Sequence, residues 1–437
     1  MPLVAINSQF CYYGTNMLDI KFIRENADLV KEAAVKKNIA FDVAELLTVD
    51  DNRRALLLEV EAMRGKQNET ANAVPRAANP EERDRLISES KLLKDVLQKE
   101  EEKLAEVMKT WHGLMVQVPN IPDMSVPDGK EDSDNVEVRT WGTIPKFDFT
   151  PKDHIELFEK HDIADFDRGT KVAGFRGYVL KGDGARLVFA LSQFVLNELS
   201  QEGFVPMIVP SLVRRAPLIG TGFLPQGEED LYKTQDGDFL AGTAEVATMG
   251  YHMDEVLSLS DLPKKYISFS SAFRREAGSH SKDTKGLIRV HEFFKWEQVI
   301  LCEASHEQSV KFHEYLTENS EKLMQKLGIP YHVVLNCGGD LGLGQVKKYD
   351  IEAWVPSQNT YRETHSASYF HDFQTRRLNI RYKDAEGKLR FAHSLNNTAI
   401  ATPRILVPLV ENFQQEDGSI IIPEVLRPYM GGKDKIG

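Results

Sequence analysis

Acidic, basic and aromatic side chains crowd the stretch 273–297, which reads FRREAGSHSKDTKGLIRVHEFFKWE. It holds six Lys or Arg against four Asp or Glu, although the whole chain has a formal net charge of −12. Its ends, AFRRE and LIRVHEFFKWE, have the composition of neighbouring antiparallel strands joined by the loop AGSHSKDTKG, rich in Gly, Ser and Lys. Because side chains alternate between the faces of a strand, one face of the second strand is predicted to carry Arg289, His291, Phe293, Lys295 and Glu297.

These side-chain types suit a site for a nucleotide. Arg274 and Glu276 are predicted to share a face of the first strand. A guanidinium group holds phosphate through paired hydrogen bonds, and Phe293 offers a flat surface on which a base can stack. A solvated hairpin with incidental ion pairs would contain the same residues. The pattern alone therefore leaves both interpretations open.

Helices and strands in mixed order surround this stretch. ARLVFALSQFVLNELSQEGF is predicted to form an amphipathic helix that ends near Gly203, and VPMIVPSLV a buried strand that ends at Pro210. Further strands are predicted in YHVVLNC, KKYDIEAWVP and RRLNIRYKD. Because strands follow one another with few helices between them, the expected fold is α+β with a mainly antiparallel sheet flanked by helices.

A long helical hairpin is predicted before this region. Apolar side chains recur every three, four or seven residues in two stretches, one with Leu56, Val60, Met63 and Gln67, the other with Leu86, Leu93, Leu97, Leu104 and Trp111. Between them, Pro75 ends the first helix, Asn79 and Pro80 start the second, and Glu82 completes a capping box. About 25 residues in the shorter limb give a rod of roughly 40 Å.

The charge of this rod is balanced, unlike that of the chain. Residues 53–109 contain twelve basic and twelve acidic side chains. Within an acidic protein, this balance is a mild indication that the rod meets an anion such as a nucleic-acid backbone. A coiled coil that only packs or dimerises would have the same periodicity, so that alternative also stays open.

Composition limits the remaining possibilities. Three cysteines are too few for a disulfide framework, and their spacing is not that of a zinc site. Neither a basic leader before Lys21 nor an apolar run of about 20 residues is present, which argues against secretion and against a role in membranes. A cytoplasmic protein is expected.

Several motifs, in order, resemble those of the class II aminoacyl-tRNA synthetases, in the bacterial form found in seryl-tRNA synthetases. FRREAG…GLIRVHEFFKWEQ is similar to their second signature motif, NNTAIATPRILVPLVEN to the third, and LPQGEEDLY…GTAEV to their serine-binding loop. The helix and strand that end at Pro210 would be the first motif. The similarity begins at LDIKFIREN and extends almost to the C-terminus, where RPYMGG matches the usual ending.

The resemblance implies three segments and an activity. Residues 1–16 would be a poorly ordered extension, 17–125 a helical-hairpin arm that binds tRNA, and 126–437 a class II catalytic domain. The enzyme would join L-serine to the α-phosphate of ATP, releasing pyrophosphate, and then transfer the seryl group to the 3′ end of tRNA. Both steps need positioning and charge neutralisation more than a covalent nucleophile.

The resemblance also assigns the nucleotide site. Arg274, Glu363 and Arg404 would be the catalytic residues, with Arg274 between the serine carboxylate and the α-phosphate. Phe293 and Arg404 would enclose adenine, and Glu276 would accept from its amino group. The full set of ATP-binding positions would be Arg274, Arg275, Glu276, Val290, Phe293, Glu363, Thr364, His365, Ser366 and Arg404. Glu363 and Ser366 would also hold Mg²⁺ through oxygen ligands.

Serine recognition is assigned by matching positions in GTAEV, FKWE and NNTA, namely Thr243, Ala244, Glu245, Glu297, Asn396 and Thr398. A site that hydrogen-bonds a hydroxyl rejects alanine and glycine, because its own polar groups would be left unpaired. Threonine would be rejected only by lack of room for its methyl group, a weaker discrimination of about 1–3 kcal/mol.

The implied partners are tRNA(Ser), tRNA(Sec) and a second copy of the chain in a homodimer. Candidate tRNA contacts on the arm are Arg53, Arg54, Arg64, Lys66, Arg76, Arg83 and Arg85. Two other functions are consistent with parts of the pattern. One is a relative that loads an amino acid onto a carrier protein, and the other is a non-catalytic RNA-binding protein with a synthetase-like fold.

Overall fold

A computed structural model describes residues 18–277 and 283–437 of the chain. The predicted extension 1–16 and the tip of the predicted loop, residues 278–282, lie outside the described residues. The chain divides into two compact units. The first runs to Ala34 and continues over Ala40–Val118, and the second comprises Val35–Ile39 and Pro119–Gly437.

The first unit is built around a helical hairpin, as the sequence predicts. Its helices are α1 (Ile20–Glu25), α2 (Ala27–Lys36, whose last two residues lie in the second unit), α3 (Val43–Ala73) and α4 (Pro80–Met115). Val60 of α3 and Leu97 of α4 are buried between the two long helices. Arg64 contacts Glu101 across the hairpin at 2.6 Å, so these turns of α3 and α4 lie side by side. At the base, the fully buried carboxylate of Asp50 lies 2.7 Å from both Arg24 and Arg53.

The start of α4 follows the predicted signals with one difference. Asn79 accepts a hydrogen bond from the backbone N–H of Glu82 at 2.8 Å, as expected of an N-cap. The Glu82 carboxylate, however, accepts from the N–H of Ala78 at 2.8 Å. A capping box would direct it to the N-cap residue itself. The predicted capping box is therefore displaced by one residue.

The second unit is α+β, which confirms the predicted fold class. Its helices are α5 (His154–Lys160), α6 (Phe166–Ala173), α7 (Asp183–Gln201), α8 (Arg215–Thr221), α9 (Ala244–Tyr251), α10 (His306–Leu327), α11 (Phe373–Arg377) and α12 (Leu406–Asn412). Its strands are β1 (Val136–Trp141), β2 (Ala164–Asp165), β3 (Val179–Leu180), β4 (Val205–Ile208), β5 (Leu212–Val213), β6 (Tyr232–Lys233), β7 (Phe239–Leu240), β8 (Val256–Leu257), β9 (Lys264–Phe273), β10 (Glu292–Cys302), β11 (Tyr331–Leu335), β12 (Lys347–Val355), β13 (Thr360–His371), β14 (Arg381–Lys383), β15 (Leu389–Phe391), β16 (His393–Thr402), β17 (Ile420–Ile421) and β18 (Lys435–Ile436).

Within the described ranges, eight strands form the main sheet in the order β1-β11-β12-β13-β16-β10-β9-β4. Neighbouring strands are antiparallel except for the parallel pair β4 and β9. One face packs against α7 and α10, with Trp296 and Ile300 in the largest apolar core. Gln298, also on that face, donates to the carbonyl of Leu316 in α10. The opposite face carries Phe293, Lys295 and Glu297, because side chains alternate along β10.

Three sequence predictions are corrected by this sheet. The segment VPMIVPSLV was predicted to be buried, but β4 is the last strand of the sheet, so Val205 is 55% exposed and Ile208 is 85% exposed. β10 begins only at Glu292, so Arg289 and His291 precede it and do not share its alternation. Likewise β9 ends at Phe273, before Arg274 and Glu276.

Among the described residues, no helix is both long enough and apolar enough to cross a membrane.

Candidate active site

The sheet face that carries Phe293, Lys295 and Glu297 borders a cavity of about 500 Å³, a volume that includes its open mouth. It is lined by residues from the ends of β9 and β10, from β13, and from β16 and the turn after it. The lining residues are Arg274, Glu276, Leu287, Ile288, Val290, Phe293, Lys295, Glu363, Thr364, Thr398, Ala401, Thr402, Pro403 and Arg404. The three residues predicted to be catalytic, Arg274, Glu363 and Arg404, therefore meet in one cavity.

Arg274 lies where β9 and β10 separate. Its backbone N–H donates to the carbonyl of His291 at 3.0 Å, which continues the pairing of the two strands beyond their ends. Its guanidinium carbon is 5.5 Å from the centre of the Phe293 ring. A cation beside an exposed aromatic face can meet both a phosphate and a stacked base.

Arg404 is held in place by main-chain carbonyls. Its Nε donates to Ile288 at 3.0 Å and its Nη1 to the carbonyl of Glu363 at 3.2 Å. The same Nη1 lies 3.7 Å from the Glu363 carboxylate. These two hydrogen bonds hold the guanidinium group at the wall of the cavity, which Arg404 lines.

Charges around Glu363 keep its carboxylate ionised. Burial alone would raise its pKa, but the positive charges of Arg404, Lys348 and Arg274 outweigh burial and lower that pKa below its usual value. The arginines predicted to be catalytic thus both act electrostatically on this carboxylate. The arginines can therefore bind an anionic ligand in the cavity, and the ionised carboxylate of Glu363 can bind a cation.

A β-bulge places Glu363 and Ser366 on one face of β13. Glu363 lies opposite Glu352 and His365 opposite Ile351, so Thr364 is an extra residue in the strand. Without it, residues three positions apart would point to opposite faces. His365 instead lies on the far face, buried, with its Nε2 3.1 Å from the carbonyl of Ala399. Of the predicted ATP positions in this strand, His365 is therefore the one directed away from the cavity.

The remaining predicted ATP residues differ in accessibility. Val290 is buried and lines the cavity. The Glu276 carboxylate accepts a hydrogen bond from Arg289 at 2.8 Å, although Glu276 also lines the cavity. Arg275 is directed instead to a neighbouring loop, where its Nη1 donates to the carbonyl of Glu229 at 3.2 Å.

The loop that carries the predicted serine residues lies beside Arg274. A Cβ added at Gly242 would be 3.4 Å from the Nε of Arg274, so the two segments are in close contact. Thr243 caps α9, accepting from the N–H of Glu245 at 3.3 Å. The cap places Ala244 and Glu245 in the first turn, where both are buried. The serine-binding loop and the nucleotide cavity thus adjoin.

The carboxylates of Glu245 and Glu297 are both buried beside the predicted serine-binding loop. Burial and the neighbouring charge of Glu297 raise the pKa of Glu245 to about 7, although hydrogen bonds from Gln374 and Asn396 and the charge of Lys295 oppose the rise. Burial also raises the pKa of Glu297, against the opposing charge of Lys295, whose Nζ lies 2.8 Å away. Two buried acids thus lie beside Lys295, with the charge of Arg274 also acting on Glu297, and their oxygens can accept hydrogen bonds from a cationic group.

Asn396 and Thr398 complete this face of the sheet. Thr398 lies opposite Glu297, and a second bulge at Ala399 turns Ala401 to the same face. Asn396 lies opposite Ser368 of β13. The six predicted serine-binding residues are therefore contributed by the start of α9 and by adjacent strands of one sheet face.

Two contributors were not predicted as site residues. Lys295 pairs with Glu297, and the F-x-K-x-E alternation could have identified it. Gln374 of α11 donates to Glu245 at 2.6 Å. Nothing in its local sequence distinguishes it, because its role depends on a contact 129 residues away.

The antiparallel sheet, with arginines at the cavity and a signature of spaced motifs, defines a class II aminoacyl-tRNA synthetase. Residues 232–413 match the family described as tRNA synthetase class II core domain (G, H, P, S and T). Residues 17–122 match the Seryl-tRNA synthetase N-terminal domain. The chain belongs to the seryl-tRNA synthetase family, which confirms the resemblance found in the sequence.

Relatives match over nearly the whole length. A serine–tRNA ligase of Deinococcus radiodurans is 50% identical over 422 residues, covering 96% of this chain and 99% of that protein. The seryl-tRNA synthetase of Pyrococcus horikoshii, solved with ATP, has a TM-score of 0.86 at 39% identity, covering 96% of this chain and 99% of that one. The cytoplasmic serine–tRNA ligase of Naegleria fowleri, solved with AMP, has a TM-score of 0.82 at 32% identity, covering 97% and 99%.

Proposed function

We propose that this member of the serine–tRNA ligase family activates L-serine with ATP and transfers the seryl group to tRNA(Ser) and to tRNA(Sec). The observation that carries the proposal is the meeting of Arg274, Arg404 and Glu363 in one cavity, next to the buried acids Glu245 and Glu297. The polyanion and the amino acid would then bind side by side, as their reaction requires.

ATP would lie against Phe293, with Arg404 on the other face of adenine and reaching the γ-phosphate. Arg274 would bridge the α-phosphate and the serine carboxylate. A serine carboxylate oxygen then attacks the α-phosphorus, and the bond to the bridging oxygen of pyrophosphate breaks. Arg274 offsets the negative charge that gathers on the phosphoryl oxygens, without a covalent enzyme intermediate.

Glu276 would accept from the adenine amino group. Its carboxylate is bonded to Arg289 in the structure, and a carboxylate oxygen can accept more than one hydrogen bond. Val290 would contribute through its main chain. Thr364 lines the same cavity and donates its hydroxyl to the carbonyl of Ile351.

Glu363 and Ser366 fit a magnesium ion. They offer a carboxylate and a hydroxyl oxygen on one strand face, the hard donors that Mg²⁺ prefers, and phosphate and water would complete its shell. When bound, the ion would neutralise phosphate charge and help orient the leaving pyrophosphate. The residues themselves hold this position through the bulge at Thr364 and the ionised state of Glu363.

Serine would supply a further cation to the two buried acids, because its ammonium group would be held by Glu245 and Glu297. Lys295 lies 2.8 Å from Glu297, and the charge of Arg274 also acts on Glu297. Thr243, Asn396 and Thr398 offer polar groups for the side-chain hydroxyl. In the second step, the 3′-terminal ribose hydroxyl of tRNA attacks the carbonyl carbon of the adenylate, and AMP leaves.

The helical hairpin would carry the long variable arm of the tRNA. Of the seven predicted cations, Arg53 is held by Asp50 and lies 4.6 Å from the Trp111 ring, and Arg64 is paired with Glu101. The other five are exposed on the two long helices and the turn between them: Arg54, Lys66, Arg76, Arg83 and Arg85. Such a rod reads RNA through backbone and shape.

A homodimer is also part of the proposal. The edge strand β4 exposes Val205 and Ile208, and an apolar edge of this kind is commonly covered by another chain. Charging of tRNA for protein synthesis would take place in the cytoplasm.

Exchange of pyrophosphate into ATP, measured separately with each of the twenty amino acids, tests the activity. Exchange is expected with serine, and with threonine about 10- to 200-fold more weakly. A carrier-protein ligase would show exchange but would not charge tRNA, and a non-catalytic protein would show no exchange. Either result would overturn the proposal.

A further inference from the structure

Gln374 is the second residue of α11, and both polar atoms of its side-chain amide are hydrogen-bonded. Its Nε2 donates to Glu245 Oε1 at 2.6 Å and to the carbonyl of Thr221 at 3.3 Å. Its Oε1 accepts from the hydroxyl of Ser394 at 2.7 Å. The side chain is 1% exposed. It joins α8, α9, α11 and β16 at one point behind the serine side of the site.

These contacts fix which way the amide points. A backbone carbonyl can only accept, so the group facing Thr221 must be the amide nitrogen. Its second hydrogen is then available to Glu245, while Ser394 donates to the amide oxygen. A hydrogen bond of this kind favours the ionised carboxylate of Glu245 and fixes its orientation through Oε1, while Asn396 donates a further hydrogen bond to the same carboxylate.

Glu245 depends strongly on such a donor. The charged groups that face it are Glu297 and Lys295 from β10, and Asn396 from β16 donates a hydrogen bond to it. Glu297 repels its charge and burial disfavours it, which is why the pKa of Glu245 is raised to about 7. Near neutral pH, the loss of one donor would therefore change the fraction of Glu245 that is ionised.

We propose that Gln374 is a positioning residue for amino-acid binding: through Oε1 it holds the Glu245 carboxylate in the orientation that receives the ammonium group of serine. The inference rests on the proposed function, because it assumes that serine binds at Glu245. It makes α11, which lies outside the cavity lining, a determinant of serine affinity. Gln374 itself does not touch the reacting atoms.

A matched pair of glutamines allows a direct test. Gln298 is fully buried in β10 but faces α10, and it also makes three polar contacts, with Leu316, Asn319 and Ser320. Gln374→Met and Gln298→Met remove comparable sets of hydrogen bonds. Gln374→Glu keeps the shape and the acceptor for Ser394 but replaces the two N–H donors of the amide with a carboxyl group that has at most one proton to share between Glu245 and the carbonyl of Thr221.

The purified full-length variants are compared in pyrophosphate exchange between about pH 6 and pH 9. For both Gln374 variants, the KM for serine at pH 7 should rise about tenfold, with the KM for ATP unchanged. Loss of the donor raises the pKa of Glu245, so the fall in serine affinity at low pH should shift upward by about one pH unit. Gln298→Met should lower the melting temperature and leave the KM for serine and its pH dependence unchanged.

Two results would overturn the inference. One is a folded Gln374→Met or Gln374→Glu with the wild-type KM for serine and wild-type pH profile. The other is an equal rise in KM for Gln298→Met, which would mean that general loss of stability is responsible. If Gln374→Met does not fold, the isosteric Gln374→Glu decides. Absence of serine-dependent exchange in the wild type would instead refute the proposed function.

Discussion

Replacing Arg404 with alanine tests the electrostatic design of the cavity. The guanidinium group is oriented by two main-chain carbonyls before any ligand binds and lies 3.7 Å from Glu363. Removal of one preorganised donor that meets developing charge typically lowers the rate 10²- to 10³-fold, or about 2.7–4 kcal/mol. We expect kcat/KM for ATP in serine-dependent exchange to fall by at least this factor in the variant, because adenine would also lose its contact with the guanidinium group.

The fold should survive the substitution. The two carbonyls that Arg404 contacts lie at a cavity where water can replace it, and two hydrogen bonds contribute about 1–3 kcal/mol together against a typical total stability of about 5–15 kcal/mol. Arg376 provides a matched control, because its side chain is 27% exposed, as is that of Arg404, and it pairs with Asp372 outside the cavity. Arg376→Ala should exchange normally.

Arg404→Lys separates charge from shape. Lysine keeps the positive charge but cannot reproduce the planar fork that bonds two carbonyls at once, so intermediate activity is expected. The reasoning would be refuted by a folded Arg404→Ala variant with normal exchange, since the cavity would then not need this guanidinium. Circular dichroism and thermal unfolding of each variant establish that it is folded.

Three further predictions concern the arm, pH and assembly. Deleting residues 67–98 and closing the hairpin with a short turn should preserve serine-dependent exchange but abolish tRNA charging; intact charging would show that the arm is only structural. His332 is hydrogen-bonded to Glu352 at 2.7 Å and to Glu137 at 2.8 Å, and these two acids outweigh burial and raise the pKa of His332. The stabilisation of the fold by these ion pairs is therefore complete below about pH 6.5 and is lost as the pH rises through the raised pKa. The melting temperature should therefore fall more on going from about pH 6 to pH 9 in the wild type than in His332→Gln, and equal falls would contradict this. Ile208→Asp should convert the proposed dimer to monomers in light scattering, and an unchanged mass would count against a dimer built on β4.

The parts of the fold that depend on local pattern were predictable from sequence. The stripes containing Val60 and Leu97 predicted the long hairpin, because a 3.5- to 3.6-residue period requires only neighbouring turns. The N-cap at Asn79 was predictable for the same reason. In the second unit, strand composition was enough to predict a mainly antiparallel sheet.

Features fixed by distant contacts were not predictable in this way. Local composition gave β4 the appearance of a buried strand, but its exposure depends on its place at the end of the sheet. The alternation of side chains along β10 was predicted to include Arg289, which was wrong. A strand ends where its partner diverges rather than where its composition changes. Gln374 reaches Glu245 only because α9 and α11 meet in the folded chain.

The two bulges explain why motif residues three positions apart can serve one site. In a regular strand, Glu363 and Ser366 would lie on opposite faces, as would Thr398 and Ala401. One extra residue in β13 and one in β16 bring each pair to the face that carries Glu297. A bulge leaves the extra residue without its usual ladder partner, so each weakens the pairing of the sheet locally. Pairing in the sheet is therefore irregular at these two places, where oxygen ligands and a small-molecule pocket must face the same cavity. The spacing of residues in the motifs follows from that geometry.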